Sequence, residues 1–220
     1  MAFELDHLYL LSMPGAPEAE RLLELGLREG SPNIHAGQGT ANRRFFFANA
    51  MLELIFVTDE AQARSAAVAP TRLWERSRWR TTAASPIGLC LRAPDDAPPP
   101  FRTYAYQPQY LPAGGTIPIA LGTLAVEPML FINPDGRRPD AYPAEQRQPL
   151  DHPLGVREIS TVQIVSAGCE PPSDPLYVAV RQGIIGYSNG AGHLLEITFD
   201  HGRQGGQADI RPQLPLLLHW

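Results

Sequence analysis

Apolar residues in this chain come in short bursts separated by turn formers. Phe3 to Leu11 (FELDHLYLL) is a run of strand length, broken at Pro14 and Gly15. From Ala16 to Leu25 the period changes. Ala19, Leu22 and Leu23 fall on one side at helical spacing, with Glu18, Glu20, Arg21 and Glu24 mostly on the other. Pro17 suits the first turn of a helix and Gly26 its end. After a glycine-rich stretch at 30–39, Arg44 to Phe47 and Met51 to Val57 (MLELIFV) read as strands. Ala48-Asn49-Ala50 lies between them as a hairpin turn in which Asn49 can take positive φ. The order read for this stretch is β-α-β-β-β, with one of its strands not located.

Residues 59–82 read as partly helical and include the segment TRLWERSRWR. Strands are predicted at Ile87 to Leu91, Phe101 to Tyr106, Thr116 to Leu121 and Met129 to Ile132, with a loop at Pro94 to Pro100. The proline-rich stretch 134–154 reads as an exposed connector. A last unit follows: a strand from Val156 to Val165, a helix near Asp174 to Gln182, strands at Ile184 to Tyr187 and His193 to Phe199, and an apolar tail. The first and last units share an apolar pattern: Leu5 over Ile159, Leu8 over Val162, Leu10 over Ile164, and Glu53 over Glu196. A repeat of about 50 to 60 residues is therefore expected. The boundaries are 1–60 for a first module, 61–84 for a helical connector and 85–133 for a degenerate second module. A proline-rich connector at 134–155 and a third, incomplete module with its tail at 156–220 complete the chain.

Composition sharpens this picture. Of 220 residues, 44% are hydrophobic, enough for a core. Glycine and proline together make up about a fifth, well above ordinary usage, which favours turn-rich β structure over a helical bundle. All 18 basic residues are arginine, so lysine Schiff-base and P-loop chemistries are excluded. A formal net charge of −5 argues against a general nucleic-acid binder. No apolar run is long enough to span a bilayer, and the acidic N-terminus is unlike a signal peptide, so no membrane partner and a cytoplasmic location are expected. Cys90 and Cys169 form no CxxC or zinc-type spacing and read as buried small hydrophobes. The GxG at 37–39 lacks the third glycine and following helix of a dinucleotide site.

The segments LDHLYL (5–10), GQGTANRRFFF (37–47) and LELIFV (52–57), in this order, resemble the glyoxalase-like domain branch of the vicinal-oxygen-chelate (glyoxalase/bleomycin resistance/dioxygenase) superfamily. GLCLRAPDD (88–96), MLFIN (129–133) and HPLGV (152–156) are similar to its second half, so the likeness covers nearly the whole chain. It implies an α+β fold of repeated βαβββ modules whose curled mixed sheets form a cavity for a small organic molecule, and it allows for a homodimer. Active relatives hold a divalent metal (Zn, Ni, Fe or Mn) on a first-strand His and a last-strand Glu, matched here by His7 and Glu53. Others bind a ligand with no metal at all. The equivalent positions are Gly88 or Leu89 with Asn133 in the middle unit, and Thr161 with Glu196 in the last. A second His/Glu pair is thus absent from the pattern, leaving His35, His152, His193 or His201 to fill in.

The resemblance implies lyase, isomerase or dioxygenase chemistry on a substrate with vicinal oxygens, with Glu53 and Glu196 as the catalytic carboxylates. The alternative is a metal-free, bleomycin-resistance-type sequestering protein whose aromatics, Tyr104, Tyr106 or Trp74, stack the ligand. A third reading is an interaction module that works through a sheet edge. Thr40, Asn42 and Arg43 are candidate ligand-binding residues, or else brace a structural loop. Glu53, flanked by leucines, needs a metal, an arginine such as Arg43 or Arg44, or solvent to compensate its burial. If the 72–80 segment is one helix, Arg72, Arg76 and Arg80 share a face. That face is either a phosphate-contacting patch or the solvated side of a helix anchored in the core by its tryptophans.

Overall fold

A computed structural model describes residues 3–93, 97–168 and 171–220, so the expectation for Cys169 falls outside the described residues. The first half of the chain runs β1 (Glu4–Leu11), α1 (Ala19–Glu24), β2 (Asn33–His35), β3 (Thr40–Phe46) and β4 (Met51–Val57). Two short helices follow, α2 (Glu60–Ala63) and α3 (Leu73–Ser77). Then come β5 (Ile87–Arg92), β6 (Thr103–Tyr106), β7 (Ile117–Ala120) and β8 (Met129–Asn133). These eight strands form one mixed, curled sheet in the order β2-β3-β4-β1-β5-β8-β7-β6. At its centre β1 and β5 are antiparallel, and each has a parallel neighbour on its outer side, β4 and β8 respectively.

Both faces of this sheet are buried, which explains the near-continuous apolar strands. Leu8, Leu10, Leu52, Leu54, Leu89 and Leu91 point to one face and enter the main core. The alternate positions, among them Tyr9, Ile55, Cys90 and Phe131, form a separate cluster on the other face.

The remaining strands are β9 (Ile159–Ser166), β10 (Gly186–Asn189), β11 (Leu194–Phe199), β12 (Gln207–Asp209) and β13 (Leu216–His219), with α4 (Asp174–Arg181) between β9 and β10. They form a second sheet, ordered β10-β9-β11-β13-β12. Its winding differs from that of the first unit. β9 pairs in parallel with β10, the strand straight after its helix, and antiparallel with β11. The apolar tail becomes β13, with Leu216 and Leu218 buried. Val162, Ile164, Leu195, Ile197 and Phe199 share one core with the first sheet. Phe47 and Phe199 meet across it at 4.6 Å between ring centroids.

Three local expectations change. The 59–82 segment is partly helical as expected, but 72–80 is not one helix, because Arg72 sits at φ 56° before α3, which ends at Ser77. Arg72, Arg76 and Arg80 therefore share no face: Arg76 turns inward and is buried, while the other two are exposed. The tryptophans stay half-buried beneath arginines, Trp74 under Arg78 and Trp79 under Arg80. Asn49 does not take positive φ. Instead its side-chain amide donates to the Ile159 carbonyl (2.8 Å) and accepts from the Ile159 N–H (2.9 Å), fastening the β3–β4 turn to β9. The 134–154 connector is only partly exposed, since Pro139 and His152 are buried. Among the described residues, no helix is long and apolar enough to cross a membrane.

Candidate functional site

The concave side of the first sheet encloses a cavity of about 590 Å³. Period-two alternation fixes which side chains enter it. His7 and Tyr9 come from β1, Asn42 and Arg44 from β3, Met51, Glu53 and Ile55 from β4, and Met129 and Phe131 from β8. Asp6 breaks the alternation. The β1–β5 register slips between Leu5 and His7, so Asp6 occupies a bulge and lines the cavity beside its neighbour.

Glu53 is 5% exposed and is the focus of the polar wall. The Asn42 amide donates to its Oε1. His7 Nε2 lies 3.7 Å from Oε2, and His35 Nε2 lies 3.9 Å from Oε1. Each ring is held from behind through its other nitrogen. His7 Nδ1 is 2.6 Å from Asp6 Oδ1, and His35 Nδ1 is 2.9 Å from Thr40 Oγ1. Thr40 in turn accepts from Gln38 Nε2 (2.8 Å), and the Tyr106 hydroxyl donates to Gln38 Oε1 (3.1 Å). Asp6 also faces Asn133 Nδ2 at 3.4 Å and Arg92 Nη1 at 3.9 Å.

The two imidazoles differ electrostatically. Burial pulls the His7 pKa down, but Cys90 and the Asp6 carboxylate outweigh it and hold the ring well above the ordinary histidine range. Burial lowers His35, only partly opposed by Glu53, which favours the neutral ring. Burial pushes the Cys90 thiol up to about 11, with the neighbouring His7 opposing it. Asp6, His7 and Cys90 each offer a ligand atom within 4.8 Å of the others, and this buried group could hold a metal ion.

Of the residues singled out in the sequence, His7, Glu53 and Asn42 converge on the cavity, and Thr40 stands one step behind it. Arg43 points to the opposite face of β3, where Glu29 (2.5 Å) and Glu20 (2.7 Å) neutralise it. Its neighbour Arg44 is the one that lines the cavity, because successive side chains alternate. Tyr104 donates to the Pro70 carbonyl (3.0 Å) and lines a different hollow. Glu196 is on β11 of the second sheet, opposite Gln163, on the face turned away from the buried Leu195 and Ile197.

The counterpart of His7 in the second half is Cys90 rather than Gly88 or Leu89. Register makes this plain: Met51 and Phe131 are the partners of His7 and Cys90, and two residues further along lie Glu53 and Asn133. Asp6 and Gln38 escaped the sequence reading, and Cys90, buried as expected, was read only as a small hydrophobe. The only signals for the first two were their places inside LDH and GQGT.

No protein-family model and no curated protein matches the chain. A solved structure of a hypothetical protein from Staphylococcus aureus is similar in fold, with a TM-score of 0.55 and 10% identity, covering 99% of each chain. At that identity the likeness speaks for the architecture alone: a sheet-dominated α+β protein with a curled main sheet.

Proposed function

We propose that the curled sheet binds a small organic molecule bearing vicinal oxygens, and that His7, Glu53 and His35 hold a divalent metal (Zn, Ni, Fe or Mn) for lyase, isomerase or dioxygenase chemistry on it. One observation carries the reading. Two imidazole Nε2 atoms flank a single buried carboxylate at 3.7 and 3.9 Å, beyond hydrogen-bond range. Two donors each about 2.1 Å from one ion stand roughly 3 to 3.5 Å apart, so both rings would have to swing toward the carboxylate to share an ion, whereas Asp6, His7 and Cys90 already offer ligand atoms within 4.8 Å of one another. Both far nitrogens already have oxygen partners, the usual arrangement behind metal-bound histidines. A bound ion would act as a Lewis acid toward the substrate oxygens. The chain's own residues do the rest. Asp6 and Thr40 orient the rings, Asn42 fixes the carboxylate, and Tyr9, Ile55, Met129 and Phe131 wall the cavity against water.

A metal-free sequestering protein is the second reading, supported by Cys90 and Asn133 standing where a second His/Glu pair would complete the site. The test is metal analysis of protein purified without chelator, with a thermal-shift screen of dicarbonyl and catechol compounds. One equivalent of metal is expected, lost in His7→Ala and His35→Ala and kept in Cys90→Ser. Metal lost in His7→Ala and Cys90→Ser but kept in His35→Ala places the ion on Asp6, His7 and Cys90 instead. Protein that stays metal-free in excess Zn, Ni, Fe and Mn yet binds a screened compound overturns the metal reading in favour of sequestration.

A further inference from the structure

The arginine-rich segment buries one guanidinium that makes no ion pair among the described residues. Arg76 on α3 is 2% exposed. Its Nη1 donates to the carbonyls of Ser85 (2.9 Å) and Glu127 (2.7 Å), while its Nε has no partner among the described residues. The Glu127 carboxylate forms no ion pair with it and acts on it only through space, its Oε1 accepting from the Ser173 N–H and its Oε2 from the Leu124 N–H. A buried cation hydrogen-bonded only to backbone carbonyls, with its carboxylate neighbour out of ion-pair reach, is costly unless something negative joins it.

Arg76 lines a second hollow of about 340 Å³, between the turn leading into α3 and the β6–β7 hairpin. Arg72 lines the same hollow, exposed and held at a positive φ that a residue with a Cβ adopts reluctantly. The Tyr104 ring and Thr123 add polar atoms, and none of the lining residues is acidic. Two like charges on one small concavity disfavour each other, and an anion between them removes that repulsion. Thr71, Ile119 and Met129 separate the hollow from the main cavity and line both.

We propose that this hollow is a binding subsite for a compact oxyanion, a phosphate or a carboxylate, gripped by Arg76 from its floor and Arg72 from its rim. It is independent of any metal in the main cavity.

Calorimetric titration of the full chain, in chelator and at fixed ionic strength, tests it with inorganic phosphate, acetate and chloride. Saturable binding of phosphate or acetate with no matching chloride signal is expected, and the tighter of the two identifies the class of ligand. Affinity should fall at least tenfold in Arg72→Ala and in Thr123→Phe, which plugs the hollow and leaves both guanidinium groups in place. Glu53→Gln should bind the anion as the wild type does. Chloride matching both oxyanions, or affinity unchanged in Arg72→Ala and Thr123→Phe alike, overturns the proposal.

Discussion

At the scale of single residues, the concave wall depends on side chains that fit only one partner. Gly88 pairs with Tyr9 across β1 and β5, and a Cβ at position 88 would run into the Tyr9 ring. The absent side chain is what lets the phenol lie flat in the wall and donate to Met129 Sδ (3.2 Å). Gly88→Ala must therefore displace Tyr9, overpacking a closed cluster at a cost of about 1 to 3 kcal/mol. Chemical denaturation should show that loss, and ligand binding in the cavity should weaken with it. His7 and Glu53 were legible because a family-like motif marks both. Asp6 was not, because a bulge is a fact of register between β1 and β5, and hydrophobic spacing within β1 carries no trace of it. The same gap misplaced the partner of His7: parity and pairing put Cys90 there, two residues from Gly88, on evidence that exists only once the strands are side by side.

Among the elements, the long apolar strands were readable from the pattern, and Met51–Val57 runs from end to end as expected. The ones missed, β2, β12 and β13, are three or four residues long, too short for any period to declare itself. The β3–β4 turn shows a different kind of illegibility. Asn49 is a turn former by local rule, yet its side chain acts over a distance of 110 residues, reproducing a strand's donor and acceptor pair against Ile159 at the start of β9. Arg92 adds a donor to the Asn49 carbonyl at 2.8 Å, so the turn is braced from both sheets. Asn49→Ala leaves the Ile159 N–H and C=O without these partners in a partly buried place. A destabilisation of about 1 to 3 kcal/mol is expected from urea titration. Asn49→Gly should be no milder, because the turn does not use positive φ; a benign Asn49→Gly would refute the role of the amide.

For the molecule as a whole, the junction between the two sheets is the feature that makes one core of two, and His152 sits in it. The ring's Nδ1 accepts from the Arg28 N–H (2.9 Å) and its Nε2 donates to the Phe46 carbonyl (2.9 Å), which requires the neutral tautomer. Its face packs on Phe47 at 4.9 Å, and Phe47 in turn meets Phe199 of the second sheet. Burial lowers the His152 pKa from 6.5, with the Phe46 carbonyl and Asp151 opposing this and Arg28 adding to it. A depressed histidine gives the folded state stability that is complete above the unfolded value near 6.5. That stability is lost as pH falls below it, since the unfolded chain then binds a proton that the native ring refuses. His35 and His193 are lowered in the same direction, so several sites share the loss. Between pH 7.5 and pH 5 these sites withdraw stability as pH falls, each with a slope of at most about 1.4 kcal/mol per pH unit, while His7, whose pKa is raised, works in the opposite direction, so the His152 contribution is read as the difference between wild type and variant. His152→Gln keeps an amide donor and acceptor in place of the ring. It should be less stable at pH 7.5, through lost packing on Phe47, yet show a shallower decline toward pH 5. If its pH dependence matched the wild type's, His152 would not be the proton-linked group at the junction.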